Sequence, residues 1–242
     1  MNHGLHFAGK GRRLPGCGLR SASRPPKCSG ANSLIERKLS DAMTTSSTTD
    51  QDAVAAFVHR FAQPPQDQLE HFVAAAAPRR LAAGETFCHL GQALHELAFI
   101  QNGIVRYFVT DIDGNDATKD FGFADSFTIS FGSAAMGVPA RVEIAAATAC
   151  ECLVWPWQTM LDLYARHAEW QRLGRRVAEM LYVRKEDREL AFLTQDAAQR
   201  YRELHQRFGA QLARIPQHQL ASYLGIRPQS LSRLKRSIGS AD

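Results

Sequence analysis

The period of the hydrophobic pattern changes twice along this 242-residue chain, and no other feature constrains its fold as much. Val54, Phe57, Val58 and Phe61 recur at intervals of three and four, the signature of one helical face. Pro64-Pro65 interrupts, and Leu69, Phe72 and Val73 mark a second short helix. The runs then become short and strand-like: Leu81–Phe87, Glu96–Ile100, Gly103–Val109 and Lys119–Phe123, with residues 141–155 expected to form a further strand pair. Asp113-Gly114-Asn115 lies between two of these runs and predicts a hairpin turn. Strands this short and evenly spaced predict a small antiparallel β-barrel or jelly roll. From about Thr159 the helical period returns. Trp170, Leu173, Val177 and Met180, continued in phase by Arg184 and Ala191, predict one helix of about 30 residues, roughly 45 Å long. So narrow a seam fits a coiled-coil partner, and packing on the chain's own barrel is the other reading.

Residues 216–237 carry the sharpest local pattern. Leu220, Ala221 and Leu224 give a first helix its apolar face, and small Ala221 permits a close helix crossing. Gly225 supplies the left-handed conformation that ends this helix. Ile226 plugs the corner, and Pro228 suits the first turn of a second helix, where a missing N–H costs little. Leu231 and Leu234 are expected to face inward, and Gln229, Ser230, Ser232, Arg233 and Arg236 outward. This is a helix-turn-helix pattern with a polar, basic second helix. Arg233 can bind guanine with two hydrogen bonds and Gln229 can do the same with adenine. Arg227, Ser230, Lys235 and Arg236 suit phosphates, which position a protein on double-stranded DNA without reading sequence. An αα-hairpin with a solvated charged face is the plainer alternative.

Charge supports an anionic partner. The net charge of +5 divides into +6 over residues 1–42, −6 over 43–195 and +5 over 196–242. Residues 1–42 are rich in Gly, Arg, Ser and Pro and show no sustained period. Two readings are open: a basic leader, or translation starting at Met43 with a frayed polar start up to Asp50. The expected organisation is a leader over 1–49, a barrel over 50–158, a dimerisation helix over 159–194 and the helix-turn-helix over 195–242. A hinge is expected near Thr194-Gln195-Asp196, with Thr194 capping the next helix. Cys17, Cys28, Cys88, Cys150 and Cys152 form no CxxC pair, and Cys150 and Cys152 share one strand face as buried thiols. No apolar run is long enough to span a membrane, so no membrane partner is expected.

Arg214-Ile-Pro-Gln-His-Gln-Leu-Ala-Ser-Tyr-Leu-Gly-Ile-Arg-Pro-Gln-Ser-Leu-Ser-Arg-Leu234 resembles the Crp/Fnr family of bacterial transcription regulators. Gly84-Glu85, Phe99-Ile-Gln-Asn-Gly103, Asp113-Gly114 and Thr148-Ala-Cys-Glu-Cys resemble that family's cyclic-nucleotide-binding-like barrel, so the resemblance spans about residues 50–240. It implies an α+β fold: an antiparallel β-barrel or jelly roll, a long dimerisation helix and a winged helix-turn-helix. It also implies a cytoplasmic, nucleoid-associated homodimer that reads an inverted repeat and works with RNA polymerase. Arg233 and Gln229 fall on the base-reading positions. Many relatives have Glu where Gln229 stands, and Gln favours adenine over cytosine, so the half-site is expected to differ. The chain ends soon after Lys235-Arg236, which makes any wing strand short or missing.

The resemblance weakens at the effector site. Counting back from Thr148, the family's phosphate-binding Arg falls on Ala140 and its Ser on Arg141, and the acidic ribose ligand is missing from Asp125–Met136. Without these groups a cyclic phosphate has little to offset the loss of its water. Arg141 would substitute only through a one-residue slip, which on a strand turns it to the other face. The expectation is a barrel that does not bind cyclic AMP in the usual way. The candidate effector pocket is Phe127, Phe131, Gly132, Ser133 and Arg141. With Ile129 and Met136 its apolar lining fits a closed pocket, a different small-molecule effector, or none.

No cofactor and no metal are expected. Cys17 and Cys28 lack the third partner an iron–sulfur cluster needs, and His89 and His95 are candidate haem ligands in the barrel. A cyclic-nucleotide-responsive regulator of the same family stays open as an alternative. A cupin-type metal enzyme would need a His-x-His pair and a Glu on neighbouring strands, and the barrel region has no such pair. The chain also lacks a GxSxG elbow and a P-loop, so no catalytic residue is assigned.

Overall fold

In the computed structural model, which describes residues 50–93 and 95–239, two helices come first, α1 (Asp50–Phe61) and α2 (Gln66–Ala74). Pro65 sits extended (φ −53°, ψ 136°) immediately before α2, so the two cannot merge. The basic leader, Met43, Cys17 and Cys28 lie outside the described residues. Eight strands follow: β1 (Ala77–Leu81), β2 (Thr86–Cys88), β3 (Glu96–Asn102), β4 (Ile104–Thr110), β5 (Asp116–Phe123), β6 (Ser126–Thr128), β7 (Glu143–Ala146) and β8 (Cys150–Pro156). A short helix, α3 (Phe131–Met136), separates β6 from β7. The strands form two four-stranded antiparallel sheets, ordered β1-β8-β3-β6 and β2-β7-β4-β5.

The expected β4–β5 hairpin is present. Gly114 takes φ 79° at its tip, and the Asp111 carboxylate accepts hydrogen bonds from the Asp113 and Asn115 backbone N–H groups. Two expectations in the barrel need correction. Leu81–Phe87 is not one strand, because Gly84 (φ 87°) turns the chain between β1 and β2. Residues 141–155 do not pair with each other either. β7 pairs with β2 and β4 and β8 with β1 and β3, since the Ala147 and Thr148 N–H groups both bond the Ile104 carbonyl where the chain crosses between sheets.

The predicted 30-residue helix is two helices, α4 (Trp157–Arg166) and α5 (Ala168–Thr194, 27 residues). His167 between them is extended (φ −153°, ψ 139°), and its Nδ1 accepts the Glu169 N–H and so caps α5. The break lets Trp170 turn inward and donate from Nε1 to Gln68 Oε1 at 3.0 Å. The expected boundary at 158/159 therefore falls inside α4. Past α5 come α6 (Ala197–Phe208), a 3-10 turn (Gly209–Arg214), α7 (Gln217–Leu224) and α8 (Pro228–Gly239). Thr194 does not cap α6: its hydroxyl donates back to the Leu190 carbonyl. Asp196 caps instead, in a reciprocal capping box with Gln199.

Strand alternation divides the apolar residues among three cores. Leu97, Phe99 and Trp155 face α1, α2, α4 and α5 and form an aromatic core with Phe57, Phe72, Trp157 and Trp170. The opposite faces of the same strands (Ala98, Ile100, Cys150, Cys152, Val154) meet Val105, Ile144 and Ala146 between the sheets. The outer face of the second sheet (Ile104, Phe121, Phe123) shares a third core with Tyr201, Leu204, Leu212, Leu220, Leu224 and Leu231 of the C-terminal helices.

Candidate nucleic-acid interface

The C-terminal pattern folds as its residues dictate. Leu220, Ala221 and Leu224 are buried, and Gly225 ends α7 in the left-handed conformation (φ 70°, ψ 31°). A second constraint acts there: a Cβ would lie 2.8 Å from Phe192 Cε1 near the end of α5, so that ring would have to shift. Leu231 is buried and Leu234 half-buried, and both point into the third core. Arg227, Gln229, Ser230, Arg233 and Arg236 are exposed, and Lys235 is half-buried. The side chains of Arg227, Gln229 and Arg233 make no hydrogen bond or ion pair among the described residues, whereas Arg236 Nε donates to the Ser232 carbonyl at 3.4 Å. Three donor-bearing groups thus stand free at α8, two on the helix and Arg227 just before it.

Ser232 does not simply face outward as expected. Its hydroxyl accepts from Gln217 Nε2 at 2.9 Å and donates to the Pro228 carbonyl, so it ties α8 to the start of α7. Arg200 of α6 donates to the Leu224 carbonyl at 3.0 Å and to the Gln195 carbonyl at 2.6 Å, neutralising the carbonyl end of α7. The sequence carries no local signal for either contact. Among the described residues no strand follows α8.

The candidate effector residues are not gathered around one cavity. Phe127 is packed in the aromatic core, with ring centroids 5.0 Å from both Phe57 and Phe99. Phe131 lies edge-on to Trp157, and Gly132 is exposed. Ser133 is buried, and its hydroxyl accepts the Arg141 backbone N–H at 3.1 Å. The Arg141 side chain is exposed, against Met136, while Ala140 is buried between the sheets. The open depression nearby, about 480 Å³, is lined by Leu90, Gly91, Met136, Val138, Pro139, Ala140 and Arg141, so Met136 and Arg141 are the expected pocket residues on it. Between the sheets the Tyr107 hydroxyl hydrogen-bonds Thr128, and burial pushes this phenol up to about 12.

Cys88, Cys150 and Cys152 are free, buried thiols. Burial raises all three, Cys152 to about 12, the opposite direction from the lowered value of a reactive thiolate. His95 Nε2 lies 2.9 Å from the Val138 carbonyl. No metal-ligating cluster occurs among the described residues, and none of their helices is long and apolar enough to cross a membrane.

Residues 78–167 match the family model of the cyclic nucleotide-binding domain. No curated protein matches the sequence. Among solved structures, FixK2 from Bradyrhizobium japonicum is similar with a TM-score of 0.57 and 16% identity over 69% of this chain and 85% of that one. The c-di-GMP-responsive global regulator CLP of Xanthomonas campestris is similar at 0.56 and 17%, over 73% and 93%. CooA from Carboxydothermus hydrogenoformans gives 0.57 and 12%, over 71% and 79%. The chain therefore shares the fold of these three structures, and within it residues 78–167 are similar to the cyclic nucleotide-binding domain family.

Proposed function

We propose that this chain is a cytoplasmic, homodimeric transcription regulator that reads an inverted repeat in double-stranded DNA and does not depend on cyclic AMP. The observation that carries the reading is the exposed set Gln229 and Arg233 on α8 and Arg227 just before it, with α8 following a corner that Gly225 makes. Arg233 and Gln229 have the donor geometry for guanine and adenine edges. Arg227, Ser230, Lys235 and Arg236 flank them and take phosphates, and RNA polymerase is the protein partner such a regulator requires.

Dimerisation falls to a different seam of α5 from the one that periodicity marked. Trp170 and Leu173 are spent on the chain's own aromatic core, and Val177 packs against it. Toward the C-terminal end of α5, Tyr182 (64% exposed), Leu190 (52%) and Leu193 (82%) stand unpartnered in the monomer. A twofold pairing there sets two reading helices to half-sites centred about 34 Å apart. Leu190→Glu with Leu193→Glu is expected to yield a folded monomer in sedimentation. Its affinity for the repeat should fall by about 100-fold or more, because the second half-site loses its effective concentration. A dimer that survives both changes would refute this seam.

Cyclic AMP independence rests on the anion site. The backbone N–H of Arg141 is already taken by Ser133, Ala140 presents no cation, and the space between the sheets holds side chains. The match to the cyclic nucleotide-binding family favours a second reading, a nucleotide-responsive regulator. Selection of bound DNA from a random pool by the full chain, with and without cyclic AMP, separates the two. An inverted repeat enriched equally in both arms is expected. Enrichment only with the nucleotide would favour the second reading, and none in either arm would overturn DNA reading itself.

A further inference from the structure

β5 is the edge strand of its sheet, and an edge exposes backbone groups that must find partners. Here the partners come from the helix-turn-helix and from α5. Ser222, on α7, accepts the Thr118 N–H at 2.9 Å and donates to the Asp116 carbonyl at 3.0 Å. One hydroxyl thus fills both roles that a residue of a neighbouring strand would fill. Arg188 of α5 donates to the Thr118 carbonyl at 3.3 Å, and its guanidinium lies 4.0 Å from the centre of the Tyr223 ring. Further along the edge, Arg184 pairs with Asp120 at 3.2 Å.

The barrel side of this junction is rigid. Arg106 is only 5% exposed; it donates from Nε to Thr118 Oγ1 and from its guanidinium to the Asp116 carboxylate, each at 2.9 Å. It therefore holds the two residues that Ser222 meets. Phe121 against Tyr223 and Phe123 stacked on Phe208 complete the junction. Apolar contact is non-directional and keeps the two parts together without setting their angle. Hydrogen bonds to a strand edge are directional and set it.

We propose that Ser222 is a positioning residue: with Arg188 it latches the helix-turn-helix to the β5 edge and so fixes the separation of the two reading helices, making the half-site spacing of the operator a property of this latch. This rests on the inverted-repeat reading above. The reading residues on α8 stay exposed and none of them takes part in the latch, so the latch sets orientation without burying them.

The test uses the full chain in four forms: wild type, Ser222→Ala, Ser222→Thr, and Ser222→Ala with Arg188→Ala. Affinity is measured for the selected repeat, for repeats with the spacer lengthened or shortened, and for a single half-site. Losing the two Ser222 bonds is expected to reduce discrimination between spacings by about tenfold, and losing all three by more, with single half-site affinity nearly unchanged. Ser222→Thr keeps the hydroxyl and should restore discrimination. An alanine variant that discriminates like wild type overturns the proposal. So does one that loses half-site affinity as much as repeat affinity, which is the mark of a merely structural role. Hydrogen exchange at the Thr118 amide, measured without DNA, tests the latch separately. Exchange about tenfold faster in Ser222→Ala is expected, and unchanged exchange overturns the latch. If wild type selects no inverted repeat, the parent reading fails while the exchange result still judges the latch.

Discussion

Arg233→Ala is expected to remove specific DNA binding while leaving the folded dimer intact. Arg233 is exposed and makes no hydrogen bond or ion pair among the described residues, so the free protein loses none. On DNA a bidentate Arg–guanine pair discriminates by about 1–3 kcal/mol, and a twofold dimer makes the pair twice. The loss is then about 2–6 kcal/mol, or roughly 30-fold to 10⁴-fold in specific affinity. Fluorescence anisotropy on the selected repeat and on a scrambled duplex measures it. The repeat should weaken toward the scrambled level, which phosphate contacts alone support. Sequence preference equal to wild type would show that another helix face does the reading.

Trp155→Ala is expected to cost the most stability of any single truncation in the barrel. The ring is fully buried and stacked on Phe72, with centroids 4.6 Å apart and planes 13° apart. Its Nε1–H donates to the Phe72 carbonyl at 2.7 Å, which fastens α2 to β8. Alanine opens a large cavity and strands a buried acceptor, for a loss of about 3–5 kcal/mol. For a domain of this size that lowers Tm by roughly 10 °C, which a thermal melt followed by circular dichroism would register. A shift of a degree or two would mean that the aromatic core can collapse around the space.

These two residues differ in how visible they are in the sequence. Arg233 could be assigned from its neighbours alone. Gly225 and Pro228 restrict the backbone locally, and Leu231 three residues from both Pro228 and Leu234 marks the buried side, so the outward side follows. Trp155 could be placed on a strand, but not among Phe72, Phe127 and Phe99, which come from separate elements. The same division explains the effector residues. Phe127 lies on the three-residue β6, too short to show an alternation, and which sheet face met helices and which met the other sheet was a tertiary outcome.

What the sequence by itself determined is what short-range sterics and periodicity control: the hairpin at Gly114, the corner at Gly225, and most of the helical and strand segments. Each depends on residues within a few positions, and backbone geometry leaves them few alternatives. Only the tertiary structure decided the rest. It chose His167 over an unbroken helix because Trp170 had a core to enter. It placed β7 and β8 in different sheets, gave one seam of α5 to the chain's own barrel, and set Ser222 against Thr118, 104 residues away. The physical reason is that periodicity says which side chains share a face, whereas the partner of that face depends on the free energy of packing the whole chain, in which distant segments compete for the same surface.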